Sequence, residues 1–199
     1  MKTLYLDIET LPAEKDKHEI LKNIHQKKKD KGRTKQTLEQ FIENTNFGGA
    51  FGRIFCLCYA IDDEPVQNLF GDEREILKKF WEICREIQLF VGHNVLDFDL
   101  KFIYQRSIIL QVKPSIPISF RRYYSEQVFD IMHEWTKWNG YISMDELACA
   151  LGIPSSKGDI DGSRVHEFYK KGKHQEIIDY CKKDVEVTRA IYKKMNFIE

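Results

Sequence analysis

Apolar residues recur along this chain at two spacings, and their alternation outlines a sheet flanked by helices. Residues 2–9 alternate with period two: Leu6 and Ile8 point one way, Tyr5, Asp7 and Glu9 the other. GRIFCLCYAID, PVQNLFG, QLFVGHN and VFDIM read as four further strands. EREILKKFWEICREI places Ile76, Leu77, Phe80, Ile83 and Ile87 at helical spacing, and DFDLKFIYQRSIIL is helical too. SMDELACALG is a short helix with Ser143 at its N-cap, Glu146 three residues on and Gly152 at its end. Residues 13–47 are charge-rich, with two short helices expected around a break near Gly32; residues 163–196 form a last helical region interrupted near Gly172. Three strands in series, followed by alternating helices and strands, predict an α/β fold with a mixed five-stranded sheet flanked by helices. Strands 1, 4 and 5 are expected to be parallel and strands 1 to 3 largely antiparallel. The expectation is one domain over residues 1–199, with about 13–47 a charged insertion between strands 1 and 2.

Composition narrows the class. At 42% hydrophobic and 31% charged, the chain reads as globular rather than disordered. No run approaches the roughly 20 apolar residues of a membrane span, and acidic residues arrive too early for a secretory leader. Cys56, Cys58, Cys84, Cys149 and Cys181 each sit in an apolar run with no CxxC pair. That predicts small buried thiols in a reducing, cytoplasmic setting and argues against a Cys-based zinc site. The formal net charge of zero argues against indiscriminate binding of polyanions but leaves room for local basic patches.

Carboxylates stand where the pattern calls for apolar groups. In the last helix Ile177, Cys181, Val185, Thr188, Ile191, Tyr192 and Met195 share one stripe, and Asp184 falls inside it, with Tyr180 one turn earlier. A carboxylate facing a core needs a cation, backbone donors or a metal; an ion pair with a distant Lys or Arg is the structural alternative. Asp7 and Glu9 are either the polar side of a half-exposed strand or ligands converging on one ion. Asp99, in GHNVLDFDL, is wedged between Phe98 and Leu100, whereas Asp97 also reads as ordinary charge in a first helical turn. Brought together, Asp7, Glu9, Asp99 and Asp184 would repel one another, and divalent cations resolve that repulsion. All-oxygen ligands suit magnesium or manganese, and two such ions about 3.5–4 Å apart clamp an in-line displacement at phosphorus.

LDIET, GHNVLDFD and YCKKD, in that order, resemble the three motifs of the DEDD superfamily of 3′–5′ exonucleases. The Tyr of the third motif marks the DEDDy branch; the His branch would need His at position 179, where this chain has Asp. GRIFCLCYAI, GDEREILKKFWE, SMDELACALGIP, KGDIDGSRVHEFY and IIDYCKKDVEVT resemble the stand-alone bacterial proteins related to the exonuclease domain of family B DNA polymerases. The resemblance spans residues 1–12 and about 48–195 and implies an RNase H-like fold. It implies that Asp7, Glu9, Asp99 and Asp184 hold two divalent cations, Mg2+ or Mn2+, and that Tyr180 orients the attacking water. It also implies that Thr10, Leu11, Asn94 and Phe98 line the pocket of the 3′-terminal nucleotide.

The expected activity is therefore removal of nucleoside 5′-monophosphates from a free 3′ end, with single-stranded DNA favoured as substrate. An exoribonuclease and a non-catalytic nucleic-acid-binding module are the alternatives. The 199 residues hold no recognisable polymerase domain, so any proofreading or DNA repair role is expected to act in trans. Lys27, Lys28, Lys29, Lys31, Arg33 and Lys35 make the middle of the 13–47 segment basic; it is either a solvated helix face or a flap following the phosphate backbone. FRRYYSEQ interleaves two Arg with three aromatics and suits either stacking on bases or ordinary packing. His93 reads as structural, the other histidines show no zinc spacing, and Trp81, Trp135 and Trp138 read as packing residues.

Overall fold

The structure is a computed structural model and describes residues 1–121, 126–155, 160 and 162–198. Its strands are β1 (Thr3–Leu11), β2 (Arg53–Ile61), β3 (Gln67–Phe70), β4 (Leu89–Gly92) and β5 (Val128–Asp130). They form one sheet in the order β3-β2-β1-β4-β5. The pairs β1–β2 and β2–β3 are antiparallel, and β1–β4 and β4–β5 are parallel. This is the mixed five-stranded α/β sheet that the alternation predicts.

The helices are α1 (His18–Asp30), α2 (Leu38–Glu43), α3 (Glu73–Cys84), α4 (Asp99–Ile109), α5 (Ile131–Thr136), α6 (Met144–Ala150), α7 (Val165–Lys170) and α8 (His174–Met195). Two apolar layers enclose β1. Leu4, Leu6 and Ile8 pack with α3 and α4, whereas Tyr5 and Leu11 pack beneath α6, α7 and α8. The alternation in β1 therefore does not mark a strand with a wet face: both faces are covered, and the acids lie under a helix.

Local chemistry sets the element ends. Ser143 and Glu146 form a reciprocal cap on α6, and Thr37 and Gln40 do the same on α2. Gly32 and Gly172 carry φ values of +64° and +72° at the helix breaks expected there. Two boundaries differ from the sequence reading. β1 continues past Glu9 to Leu11 because β2 keeps pairing with it across a bulge. The strand expected through Met132 stops at Asp130, whose carboxylate accepts the His133 N–H at 3.2 Å and starts α5. Cys149 is exposed while the other four thiols are buried. Trp81 is a packing residue whose indole donates to Ser107 Oγ at 2.9 Å; Trp135, at 44% exposure, is not. Among the described residues no helix is long and apolar enough to cross a membrane.

A largely buried ion pair ties the α3–α4 layer to the sheet. Arg106 Nε and Nη2 donate to the two oxygens of Glu73 at 2.9 and 2.8 Å, and Nη1 donates to Gly49 O at 3.2 Å. Glu73 Oε1 also accepts the Ile54 N–H at 2.7 Å, so one carboxylate joins α3, α4 and the start of β2. Removing one partner strands the other charge in a dry site. Arg106→Ala is expected to lower stability by about 3 kcal/mol, read from the midpoint of urea denaturation.

Candidate active site

Strand alternation puts Asp7 and Glu9 on the face of β1 that α8 crosses. Helical periodicity puts Tyr180, Cys181 and Asp184 on the face of α8 that looks down on β1. The two periodicities meet at one point: ligand oxygens of Asp7, Glu9 and Asp184 all lie within 4.8 Å of one another. Asp184 is 4% exposed and Glu9 8%, while Asp7 is half-buried. A bulge interrupts the β1–β2 ladder between Glu9 and Thr10, where Phe55 is the extra residue of β2. Bulges of this kind re-aim side chains next to functional sites.

Asp99 enters from the opposite layer. β4 pairs with β1 only as far as Tyr5. Beyond that point Asp99, at the start of α4, accepts the Ile8 N–H at 3.0 Å. The carboxylate thus takes a backbone donor that the sheet leaves open. Asp99 stands beside the three clustered acids electrostatically without joining their close contact.

The acids sit in a setting hostile to negative charge. Burial, then Asp99, Asp184 and Glu9, hold the Asp7 carboxyl well above the usual range. Burial, then Asp184 and Asp99, do the same to Glu9. Asp99 is pushed up to about 8, chiefly by burial, against the opposing pull of the Ile8 N–H. Every carboxylate that Asp7 and Glu9 feel raises their pKa, and Asp7 Oδ2 is buried with no hydrogen-bond partner among the described residues. An oxygen-ligated divalent cation fits this donor set. Tyr180 is neutral: burial, the charges of Asp184, Glu9 and Asp7, and a hydrogen bond to Asp184 hold its phenol far above its ordinary value.

A family model described as "Predicted 3′-5′ exonuclease related to the exonuclease domain of PolB" matches residues 60–199. The chain belongs to this family. In fold the chain is similar to the family B DNA polymerase of the hyperthermophilic archaeon Pyrobaculum calidifontis, with a TM-score of 0.70 at 15% identity. The match covers 98% of this chain and 24% of the polymerase chain, and the shared fold is RNase H-like. No curated protein matches the sequence. The family match takes in Asp99, Tyr180 and Asp184 and begins after Asp7 and Glu9. Asp7 and Glu9 of β1 are brought beside Asp184 of α8 by the fold.

The other singled-out residues have settings of their own. Thr10 is 6% exposed and donates to Asn46 O at 2.8 Å; Leu11 is 1% exposed. Asn94 adopts a left-handed φ of 58°, and Phe98 is half-buried with its ring 5.8 Å from that of Phe102. Asp97 is engaged elsewhere, 3.2 Å from His133 Nε2, and His93 Nε2 hydrogen-bonds Ile142 O at 3.0 Å. Lys27, Lys28 and Lys29 end α1, with the Lys28 ammonium 4.9 Å over the Phe41 ring. Of FRRYYSEQ, residues 122–125 lie outside the described residues, as do residue 156 and, at the start of KGDIDGSRVHEFY, residues 157–159 and 161.

Two features escaped the sequence reading. Asp130, 2% exposed, accepts N–H groups from Asn94 at 3.1 Å and Leu96 at 3.0 Å, so it shapes the turn that delivers Asp99. Its signal was a lone acid inside the apolar run VFDIM. The second is a floor of thiols. Cys58 and Cys56 are the register partners of Asp7 and Glu9, and Cys181 donates to Asp7 O at 3.4 Å. The three sulfurs lie within 4.8 Å of one another. No spacing rule finds them, because β2 and α8 meet only in the fold. Cys58 Sγ also lies 3.8 Å from Ile178 O.

Raised carboxylates make the protein pH-sensitive in a defined direction. Above pH ~4 the unfolded chain has released these protons while the folded chain still holds them. In chelator, stability is expected to fall as pH rises from ~4 toward the Asp99 value of about 8, and Asp99→Asn to flatten that fall. Thermal melts across a pH series read the slope; stability rising with pH in that window would contradict the assignment.

Proposed function

We propose that this exonuclease hydrolyses the 3′-terminal phosphodiester of a nucleic-acid strand, single-stranded DNA foremost, and releases nucleoside 5′-monophosphates. One observation carries the reading: acids from β1 and α8 converge within 4.8 Å, with a buried Asp7 oxygen left without a hydrogen bond among the described residues. Asp7, Glu9 and Asp184 would hold one divalent cation, Mg2+ or Mn2+, and Asp99 with Asp7 a second. Such ions, when bound, neutralise charge on the phosphoryl group and make water a better nucleophile at neutral pH.

The chain's own residues supply the rest. Asp99, tied to the Ile8 N–H, fixes the distance between the α4 and β1 acids. Tyr180 keeps its proton, so it orients the attacking water by hydrogen bonding rather than acting as a base. Thr10, Leu11, Asn94 and Phe98 border the terminal nucleotide. The unit is a single domain with residues 13–47 inserted after β1, and its four buried thiols suit the reducing cytoplasm.

The deciding experiment follows a 5′-labelled single strand, as DNA and as RNA of the same sequence, with magnesium, manganese or EDTA. Stepwise shortening from the 3′ end, abolished by EDTA, is the expected result. Binding without shortening in either metal would make the chain a nucleic-acid-binding module. Asp184→Ala is expected to fold and to lose activity by at least about a hundredfold. Tyr180→Phe removes one hydrogen bond to water and is expected to slow turnover about tenfold, measured as kcat on the same strand.

A further inference from the structure

A second set of ligand atoms lies beside the acids, and it is made of sulfur. Cys56 and Cys58 stand two residues apart on β2, so both side chains leave the sheet on the face that α8 covers. Cys181 meets them from α8. The three Sγ atoms lie within 4.8 Å of one another, and each residue is 0% exposed. Cys58 pairs across the ladder with Asp7, and Cys56 with Glu9. Directly opposed side chains on neighbouring strands stand ~5 Å apart at Cβ, so thiols and acids are adjacent columns on one sheet face. The other two cysteines lie apart: Cys84 belongs to the α3–α4 layer, and Cys149 is exposed on α6.

Three thiols in contact can do what a single buried thiol cannot. A cation held by three sulfurs at ~2.3 Å sets them about 4 Å apart, inside the span observed here. The sulfurs' ties to the backbone are long, 3.4 Å from Cys181 to Asp7 O and 3.8 Å from Cys58 to Ile178 O, so closing on an ion disturbs little. The Asp7 carbonyl also stands beside the cluster for an ion that takes a fourth donor. Thiolates select soft cations such as Cu+ and Zn2+, whereas carboxylates take Mg2+ or Mn2+. Each sulfur releases its proton to water on binding. Three thiolates around a divalent ion then carry one net negative charge in place of three, which matters this close to the acids.

We propose that Cys56, Cys58 and Cys181 form a site for one thiophilic cation, Cu+ or Zn2+, distinct from the acidic centre in ligand and in metal. The ion joins β2 to α8 three residues before Asp184, so its binding pins the helix that carries this acid onto the sheet. All three thiols are enclosed, and the ion enters when α8 lifts locally from the sheet. The site stands or falls whether or not the chain cleaves nucleic acid.

The test uses the full chain carrying Cys149→Ser, which removes the exposed thiol, reduced and kept under anaerobic conditions with excess Mg2+ to occupy the acids. Cd2+ is the spectroscopic probe, with Zn2+ and Cu+ in separate arms, each added a few degrees below the melting midpoint, where local opening is frequent. One equivalent of Cd2+ is expected to produce sulfur-to-metal absorption in the ultraviolet. At about a hundred times its Kd it is expected to raise the melting midpoint by roughly 5–10 °C. Cys58→Ala and Cys181→Ala are each expected to weaken binding at least about tenfold, and Cys84→Ala to leave it unchanged. Melting curves show whether each variant is folded. If the ligand variants are not, X-ray absorption of the Zn2+-loaded chain decides, with three sulfurs expected at ~2.3 Å. Of Zn2+ and Cu+, the one that displaces Cd2+ at the lower concentration is the ion the site prefers. No sulfur-to-metal absorption, absorption that survives both ligand variants, or a zinc shell of oxygen alone overturns the proposal.

Discussion

Mutual repulsion among buried carboxylates is the constraint around which this molecule is arranged. Asp7, Glu9, Asp99 and Asp184 come from three elements, and burial together with neighbouring carboxylates raises the proton affinity of Asp7, Glu9 and Asp99. A fold that gathers such groups gives up stability at neutral pH unless cations sit among them. The surrounding architecture holds them in place against that repulsion.

Three devices do this holding. β1 is clamped between two apolar layers, so Asp7 and Glu9 cannot swing out without exposing Leu6 and Ile8. Arg106 and Glu73 lock α4 to α3 and to the start of β2, which keeps the helix bearing Asp99 against the sheet. Asp130 collects the backbone donors of the turn before α4. In that turn a Cβ on Gly92 would lie 2.6 Å from Val95, so the sharp exit from β4 depends on glycine. The second and third devices use buried polar groups, and all three serve the placement of an acid.

Much of this was legible in the chain. The five strands, their parallel and antiparallel senses, the caps at Ser143 and the breaks at Gly32 and Gly172 follow from local periodicity and turn chemistry. Asp184 announced itself as a charge in an apolar stripe. The reading faltered where a side chain's meaning depends on a partner far along the chain. Asp130 looked like the interior of a strand but caps a helix, because its carboxylate serves donors more than thirty residues away as well as one three residues on. Cys56 and Cys58 looked like packing, and their meeting with Cys181 needed α8 laid across β2.

Sequence alone determined which elements exist, which face of each is apolar, and that acids occupy faces that should be dry. These are properties of φ and ψ preference and of spacing within a few residues, where the chain interacts with itself locally. Tertiary structure alone decided that Asp7, Glu9 and Asp184 share one point and that Asp99 reaches the Ile8 N–H. Distances between groups separated by scores of residues are set by how helices pack on a twisted sheet, and no local spacing encodes that packing.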